Sequence, residues 1–149
     1  MSITSTEEEH RMKNNDMMTV LVQGFYGNRT VTSFHPEKFD AMMLGYLDMK
    51  VFEKFHDEVQ IDRTIIRVPD TENIVLVYNR YGEEERLKEL QIFIQKIHEN
   101  KFRFNPTVVI PEMGIVLYSR CFVCRINENG ELISLKEEDC PKVMKYLTA

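Results

Sequence analysis

Short β-branched runs separated by turn residues dominate the chain, a pattern typical of a sheet built from hairpins. The Tyr-Gly-Asn-Arg turn signal at 26–29 predicts a hairpin between the runs 20–22 and 30–34. The runs 61–68 and 74–78 lie on either side of a Pro-Asp-Thr-Glu-Asn turn and predict a second hairpin.

The last third of the chain continues the pattern. Strands are predicted over 107–110, 115–126 and 131–135. The Asn129-Gly130 pair is a strong two-residue hairpin signal, so the last two of these strands are expected to pair.

Three segments have helical spacing instead. A helix is predicted from Pro36 to about residue 49, and a last short one over 139–147. The segment 83–100 is amphipathic, and its apolar positions recur every three or four residues at Leu87, Leu90, Ile94 and Ile97. The predicted fold class is therefore α+β, a mainly antiparallel hairpin sheet with two or three helices packed on one face.

The chain is expected to contain one domain. Residues 1–16 are polar and without periodicity, and we interpret them as a disordered leader. Residues 17–149 then form a single α+β domain, the usual outcome for a chain of 149 residues.

Composition limits the cellular compartments and the kinds of partner that are expected for this chain. A net charge of −5 disfavours nucleic-acid binding, which favours a basic surface. Three cysteines cannot form a complete disulfide framework, which favours a reducing compartment. The chain opens with no signal-peptide pattern and contains no apolar run of membrane-spanning length. We expect a cytoplasmic protein that has no membrane association.

Cys121 and Cys124 have the spacing found in zinc and thiol-redox sites. They lie inside a predicted strand, where odd and even positions point to opposite faces, so their sulfurs should diverge. We interpret them as structural cysteines, and the sequence predicts no metal and no cofactor.

Arginines lie on or beside the predicted strands, some next to aromatic residues. Guanidinium groups with aromatic rings on a sheet can bind a phosphate, a carboxylate or a base ring, although arginine over apolar surface is also ordinary on a solvated sheet face. The candidate ligand-binding residues are Arg63, Arg67, Tyr118, Arg120 and Arg125.

A second set of candidates is apolar. Flexible methionines suit adaptable protein interfaces, and the predicted partner-binding residues are Met42, Met43, Tyr46, Met49, Phe52 and Phe55. A hairpin sheet also leaves edge strands, which predict pairing with a second copy of the chain.

Three acidic triplets, at 7–9, 83–85 and 137–139, have two interpretations. They could form a surface that imitates nucleic acid. The second and third lie near predicted helix N-termini, where carboxylates stabilise the helix dipole, and we favour this structural interpretation.

Three functions remain open from the sequence. The favoured one is a non-catalytic interaction protein that binds a protein partner, such as an inhibitor or regulator of the kind that phages and mobile elements carry. The second is a domain that binds a small anionic, nucleotide-like ligand through the strand-borne arginines. The third is an enzyme whose site is dispersed, because none of the common catalytic motifs is present.

Overall fold

The computed structural model describes residues 17–45, 61–96 and 105–148. The predicted leader 1–16 lies outside these ranges, as do the end of the predicted first helix and the end of the second. The strands in these ranges are β1 Met18–Gln23, β2 Arg29–Phe34, β3 Arg63–Arg67, β4 Ile74–Asn79, β5 Val108–Ile110, β6 Ile115–Leu117, β7 Cys121–Ile126 and β8 Leu132–Ile133. The α-helices within the described ranges are α1 Phe39–Gly45, α2 Arg80–Lys96 and α3 Cys140–Val143.

Six strands form one sheet, and every neighbouring pair in it is antiparallel. The strand order is β2-β1-β7-β4-β3, and β8 pairs with the end of β7. Strands β5 and β6 form a separate two-stranded hairpin. The α+β class and the hairpin-built antiparallel sheet are thus confirmed.

The central strands β1, β4 and β7 are buried on both faces, and the helices are divided between these faces instead of sharing one as expected. On one face, α1 contributes Phe39 and Met43 to a cluster with Val77 and Phe122. On the other, Val143 of α3 packs in a different cluster that includes the β5–β6 hairpin. The alternation of side chains along β1, β4 and β7 explains this division, since each strand supplies apolar residues to both clusters.

The predicted strand 115–126 is interrupted, which corrects its boundaries. Strand β6 ends at Leu117 and β7 begins at Cys121, so Tyr118 to Arg120 connect two different sheets. The N–H groups of Tyr118 and Ser119 donate to the Glu83 carboxylate instead of to a neighbouring strand. A distant side chain therefore breaks the strand at a point where the local composition favours β structure.

Helix α2 begins at Arg80, three positions before the predicted start. Asn79 explains the earlier start, because its side-chain Oδ1 accepts a hydrogen bond from the N–H of Tyr81 at 3.2 Å and so caps the first turn. Leu90 is buried as predicted, but Leu87 is 38% exposed. Within the described ranges, no helix has both the length and the apolar character needed to cross a membrane.

Candidate binding site

The β1–β2 connection is a tight turn, Phe25–Asn28, which we call the tyrosine turn. The N–H of Asn28 donates to the carbonyl of Phe25 at 3.1 Å, and the N–H of Gly24 donates to the carbonyl of Asn28 at 2.7 Å. The two central residues, Tyr26 and Gly27, both have positive φ angles, 58° and 76°. Positive φ at both central positions defines the mirror-image hairpin turn, which favours Asn-Gly or Gly-Gly.

Tyr26 is therefore an unfavourable residue for its position. A residue with a Cβ in the left-handed region costs about 1–2 kcal/mol relative to the right-handed one. Its side chain is 84% exposed, so packing within the described residues does not compensate this cost. Backbone strain of this kind persists where the surrounding structure fixes it, and it is enriched at functional sites.

Two arginines hold the base of the tyrosine turn. The guanidinium carbons of Arg86 and Arg120 lie 4.3 and 4.6 Å from the centroid of the Phe25 ring. Each contact is a cation–π interaction, and together they connect the turn to α2 and to the segment before β7. The exposed Tyr26 therefore lies in a turn that contacts with α2 and with the segment before β7 hold in place.

Glu83 fixes the two elements that carry these arginines. Its side chain is buried in the first turn of α2 and accepts hydrogen bonds from the N–H of Tyr118 at 3.0 Å and of Ser119 at 2.7 Å. Burial raises the pKa of the nearby Tyr78, and the negative charge of Glu83 adds to that shift. Glu83 therefore determines the spacing between α2 and residues 118–120.

Arg29 and Gln23 hold the strand ends next to the tyrosine turn. Arg29 Nε donates to Oε1 of the fully buried Gln23 at 2.8 Å, and Gln23 Nε2 donates to the carbonyl of Thr148 at 2.8 Å. Arg29 also donates to the carbonyls of Leu147 and Thr148. These bonds tie the start of β2 to the segment that follows α3.

A small cavity opens beside the tyrosine turn. Its volume is about 260 Å³, and the polar residues that line it are Asn28, Arg29, Thr30 and Arg120. Pockets for drug-sized ligands are typically about 300–1,000 Å³, so this one suits a carboxylate or a phosphate better than a whole nucleotide.

The structure does not bring the five predicted ligand-binding residues together. Arg120 lies at the tyrosine turn, and Tyr118 is bound through its backbone to Glu83 nearby. Arg63 pairs with Asp40 at 2.9 Å and lies over the Phe39 ring.

The other two candidates lie at the opposite end of the sheet. Arg67 donates to the carbonyl of Glu72 at 2.8 Å. Arg125 lies 3.5 Å from the buried carboxylate of Asp139 and lines an open groove of about 610 Å³. Arg63 and Arg67 lie at opposite ends of β3, and Arg120 and Arg125 lie near opposite ends of β7. The candidates on each strand therefore belong to two different regions of the sheet.

The predicted apolar partner surface falls mostly outside the described residues, which do not include Tyr46, Met49, Phe52 or Phe55. Within them, Met43 is only 3% exposed and Met42 packs against the same cluster. Met43 therefore presents no free surface, whereas Met42 is only partly buried.

The cysteines agree with their structural interpretation. Cys121 belongs to one core cluster and Cys124 to the opposite one. Burial raises the pKa of both thiols, that of Cys124 to about 12, so neither is a thiolate at neutral pH. Of the acidic triplets, Glu83 and Asp139 are buried and hydrogen-bonded, which favours the structural interpretation for the second and third.

Sequence reasoning missed the residues that build the site. Phe25 and Arg86 were not among the predicted site residues, and Tyr26 was predicted only as part of a hairpin turn. One feature of the sequence could have indicated Tyr26. It precedes a glycine in a hairpin turn, a position that favours asparagine over tyrosine.

No group of His, Cys, Asp or Glu in the described part of the chain is arranged to hold a metal ion. Comparison of the chain with protein-family models, curated proteins and solved structures gives no match.

Proposed function

We propose that this chain is a non-catalytic binding module that engages a protein partner through the tyrosine turn. The observation that carries the proposal is Tyr26, an exposed aromatic side chain held in a left-handed conformation on a support of Phe25, Arg86 and Arg120. A module of this kind would act as an inhibitor or regulator of its partner.

Residue chemistry supports this surface. Tyrosine and arginine are enriched among the residues that contribute most to protein–protein binding. A tyrosine orders only two side-chain torsions on binding, and a fixed backbone lowers the entropic cost further. The tyrosine turn therefore offers a large contact area at a low entropic cost, whereas Met43 of α1 is buried in the core.

Site-specific photo-crosslinking in the source cells tests the proposal. A benzophenone amino acid replaces Tyr26 in one variant and Ile133, an exposed residue on β8, in the control. We expect one dominant protein adduct at position 26 and none at position 133. Equal adducts at both positions, or none at position 26, would contradict the proposal.

The captured partner then allows a quantitative test with purified proteins. Tyr26→Ala removes the ring but keeps a Cβ at the strained position, and we expect it to weaken binding at least tenfold by titration calorimetry. Tyr81→Ala is the matched control, because it also removes a tyrosine ring but from α2, where Tyr81 is half-buried, and not from the tyrosine turn. A Tyr26→Ala variant that binds like the parent would exclude the tyrosine turn as the interface.

The cavity beside Arg120 favours a second candidate function, the binding of a small anion. Arg29 and Arg120 line it together with two neutral hydrogen-bonding side chains, Asn28 and Thr30. The class of ligand that fits is a phosphate or a carboxylate group, either free or carried by a larger molecule.

Titration with inorganic phosphate, followed by amide NMR, separates the two functions. Anion binding predicts saturable shifts at Gly24 and Asn28 that Arg120→Gln abolishes and Tyr26→Ala leaves intact. A partner-binding role alone predicts no saturable shift with phosphate. Shifts that persist unchanged in Arg120→Gln would exclude the cavity.

We also propose a cytoplasmic location. The two buried thiols on opposite sheet faces, Cys121 and Cys124, are too well separated in direction to bridge each other. Free buried thiols are usual in a reducing compartment.

A further inference from the structure

Strand β2 forms one edge of the sheet, and no described strand pairs with its outer side. Bonded and non-bonded residue pairs alternate along an antiparallel hairpin. The hydrogen bond from Gly24 to Asn28 places that pair in the bonded phase, so Thr30 and Thr32 direct their backbone groups toward β1. Val31 and Ser33 therefore direct their N–H and C=O groups away from the sheet.

Strand β2 itself carries none of the sequence devices that normally prevent strand pairing. Lysine, proline, inward charges and bulges protect exposed edges, yet positions 30–33 read Thr-Val-Thr-Ser, and their register with β1 is unbroken. Val31 is 64% exposed. It lies opposite Leu21 at the end of an apolar row that continues through Val123, Leu76 and Ile66.

We propose that two copies of this chain pair through β2, antiparallel, about a two-fold axis at Val31. Val31 then exchanges both backbone hydrogen bonds with Val31 of the second copy, and the two side chains extend the buried row across the dimer. Such pairing is self-complementary, because the same strand supplies both sides.

Charge favours β2 over the other edge of the sheet. Pairing about Val31 places Arg29 opposite Ser33 of the second copy, so no like charges meet. The same operation on β3, about Ile65, would place the exposed Arg63 opposite Arg67 of the second copy. Like charges directly opposite each other destabilise a strand pair, so β3 opposes pairing with a second copy and β2 does not.

Cysteine crosslinking tests both the dimer and its register, in a Cys140→Ser background that removes the half-buried native thiol. In the proposed pairing the two Val31 Cα atoms are about 5.5 Å apart, within disulfide range. Val31→Cys should therefore form a covalent dimer under mild oxidation. Ser33→Cys should not, because the two Ser33 residues lie about 14 Å apart along the strands.

Light scattering on a sizing column gives the independent measurement. One strand pair is a small interface, so we expect dissociation on the order of 10 µM. Val31→Lys should raise this constant at least tenfold, whereas Val116→Lys, at a valine of β6 that is 47% exposed, should leave it unchanged.

Three results would overturn the proposal. One is a monomer at about 100 µM with no disulfide at position 31, which would show that the edge is covered within one chain or stays open. Another is crosslinking at position 33 in preference to 31, and the third is a dimer that Val31→Lys does not weaken.

Discussion

Two hairpin turns of the main sheet contain a residue other than glycine with positive φ, and they differ in how that conformation is supported. In the β3–β4 turn, Pro69 precedes Asp70, whose φ is 61°. Proline followed by a left-handed residue is typical of a type II turn, and aspartate tolerates that region. Thr71 adds a local bond, since its Oγ1 donates to the carbonyl of Val68 at 2.7 Å.

The tyrosine turn has its backbone hydrogen bonds and Gly27, but Tyr26 itself has no comparable local support. Its central residue is a bulky aromatic, and its stability comes from Arg86, Arg120 and Glu83, which are distant in sequence. The comparison distinguishes a turn whose residues suit its backbone from one in which Tyr26 occupies a backbone conformation that tyrosine disfavours. That difference is the physical reason to look for function at Tyr26 and not at Asp70.

The largest expected effect comes from the support of the tyrosine turn. Glu83→Ala leaves the N–H groups of Tyr118 and Ser119 without their acceptor, and should lower the free energy of unfolding by about 3 kcal/mol. Urea denaturation followed by circular dichroism measures this loss. The neighbouring Glu84→Ala is the control and should change stability by less than about 0.5 kcal/mol, because its pair with Arg80 lies on the surface. Equal losses would show that Glu83 is not the anchor.

Removing the ring beneath the turn should have the next largest effect. Phe25→Ala loses apolar contact and two cation–π interactions, and should cost about 2 kcal/mol. Phe25→Leu keeps most of the apolar contact and should cost about 1 kcal/mol. Thermal unfolding of both variants measures the difference, and identical losses would mean that the arginines contribute nothing through the ring.

Relief of the strain at Tyr26 should be stabilising. Tyr26→Asn creates the favoured Asn-Gly turn and should raise the free energy of unfolding by about 1 kcal/mol, or the melting temperature by about 3 °C. Tyr26→Ala should change little, because alanine retains the Cβ. A Tyr26→Asn variant that gains stability but loses the partner would establish the trade-off directly, while a loss of stability would show that Tyr26 is not strained.

The smallest effect is expected in the β3–β4 turn. Asp70→Asn places another residue that tolerates the left-handed region at the same position, so stability should change by less than about 0.5 kcal/mol. Chemical denaturation measures it alongside Tyr26→Asn. A change as large as that of Tyr26→Asn would remove the contrast between the two turns.

The sequence predicted the secondary-structure elements better than it predicted the residues of the candidate binding site. Alternating runs and the Asn129-Gly130 pair identified the hairpins, because strand periodicity and turn chemistry are local properties. The break in the strand at Tyr118 and Ser119 depends on Glu83, and no local pattern contains that contact. For the same reason Arg120 was recognised from its type, while its partner ring Phe25 was not.

The position of β7 has a consequence for how the chain folds during synthesis. It lies between β1 and β4, so the two N-terminal hairpins belong to one sheet only when β7 joins them. Until residues 121–126 leave the ribosome, each hairpin exposes the apolar faces that the finished sheet buries. Pairings of such long sequence separation form late and slowly, and we expect the nascent chain to depend on chaperone binding in that interval.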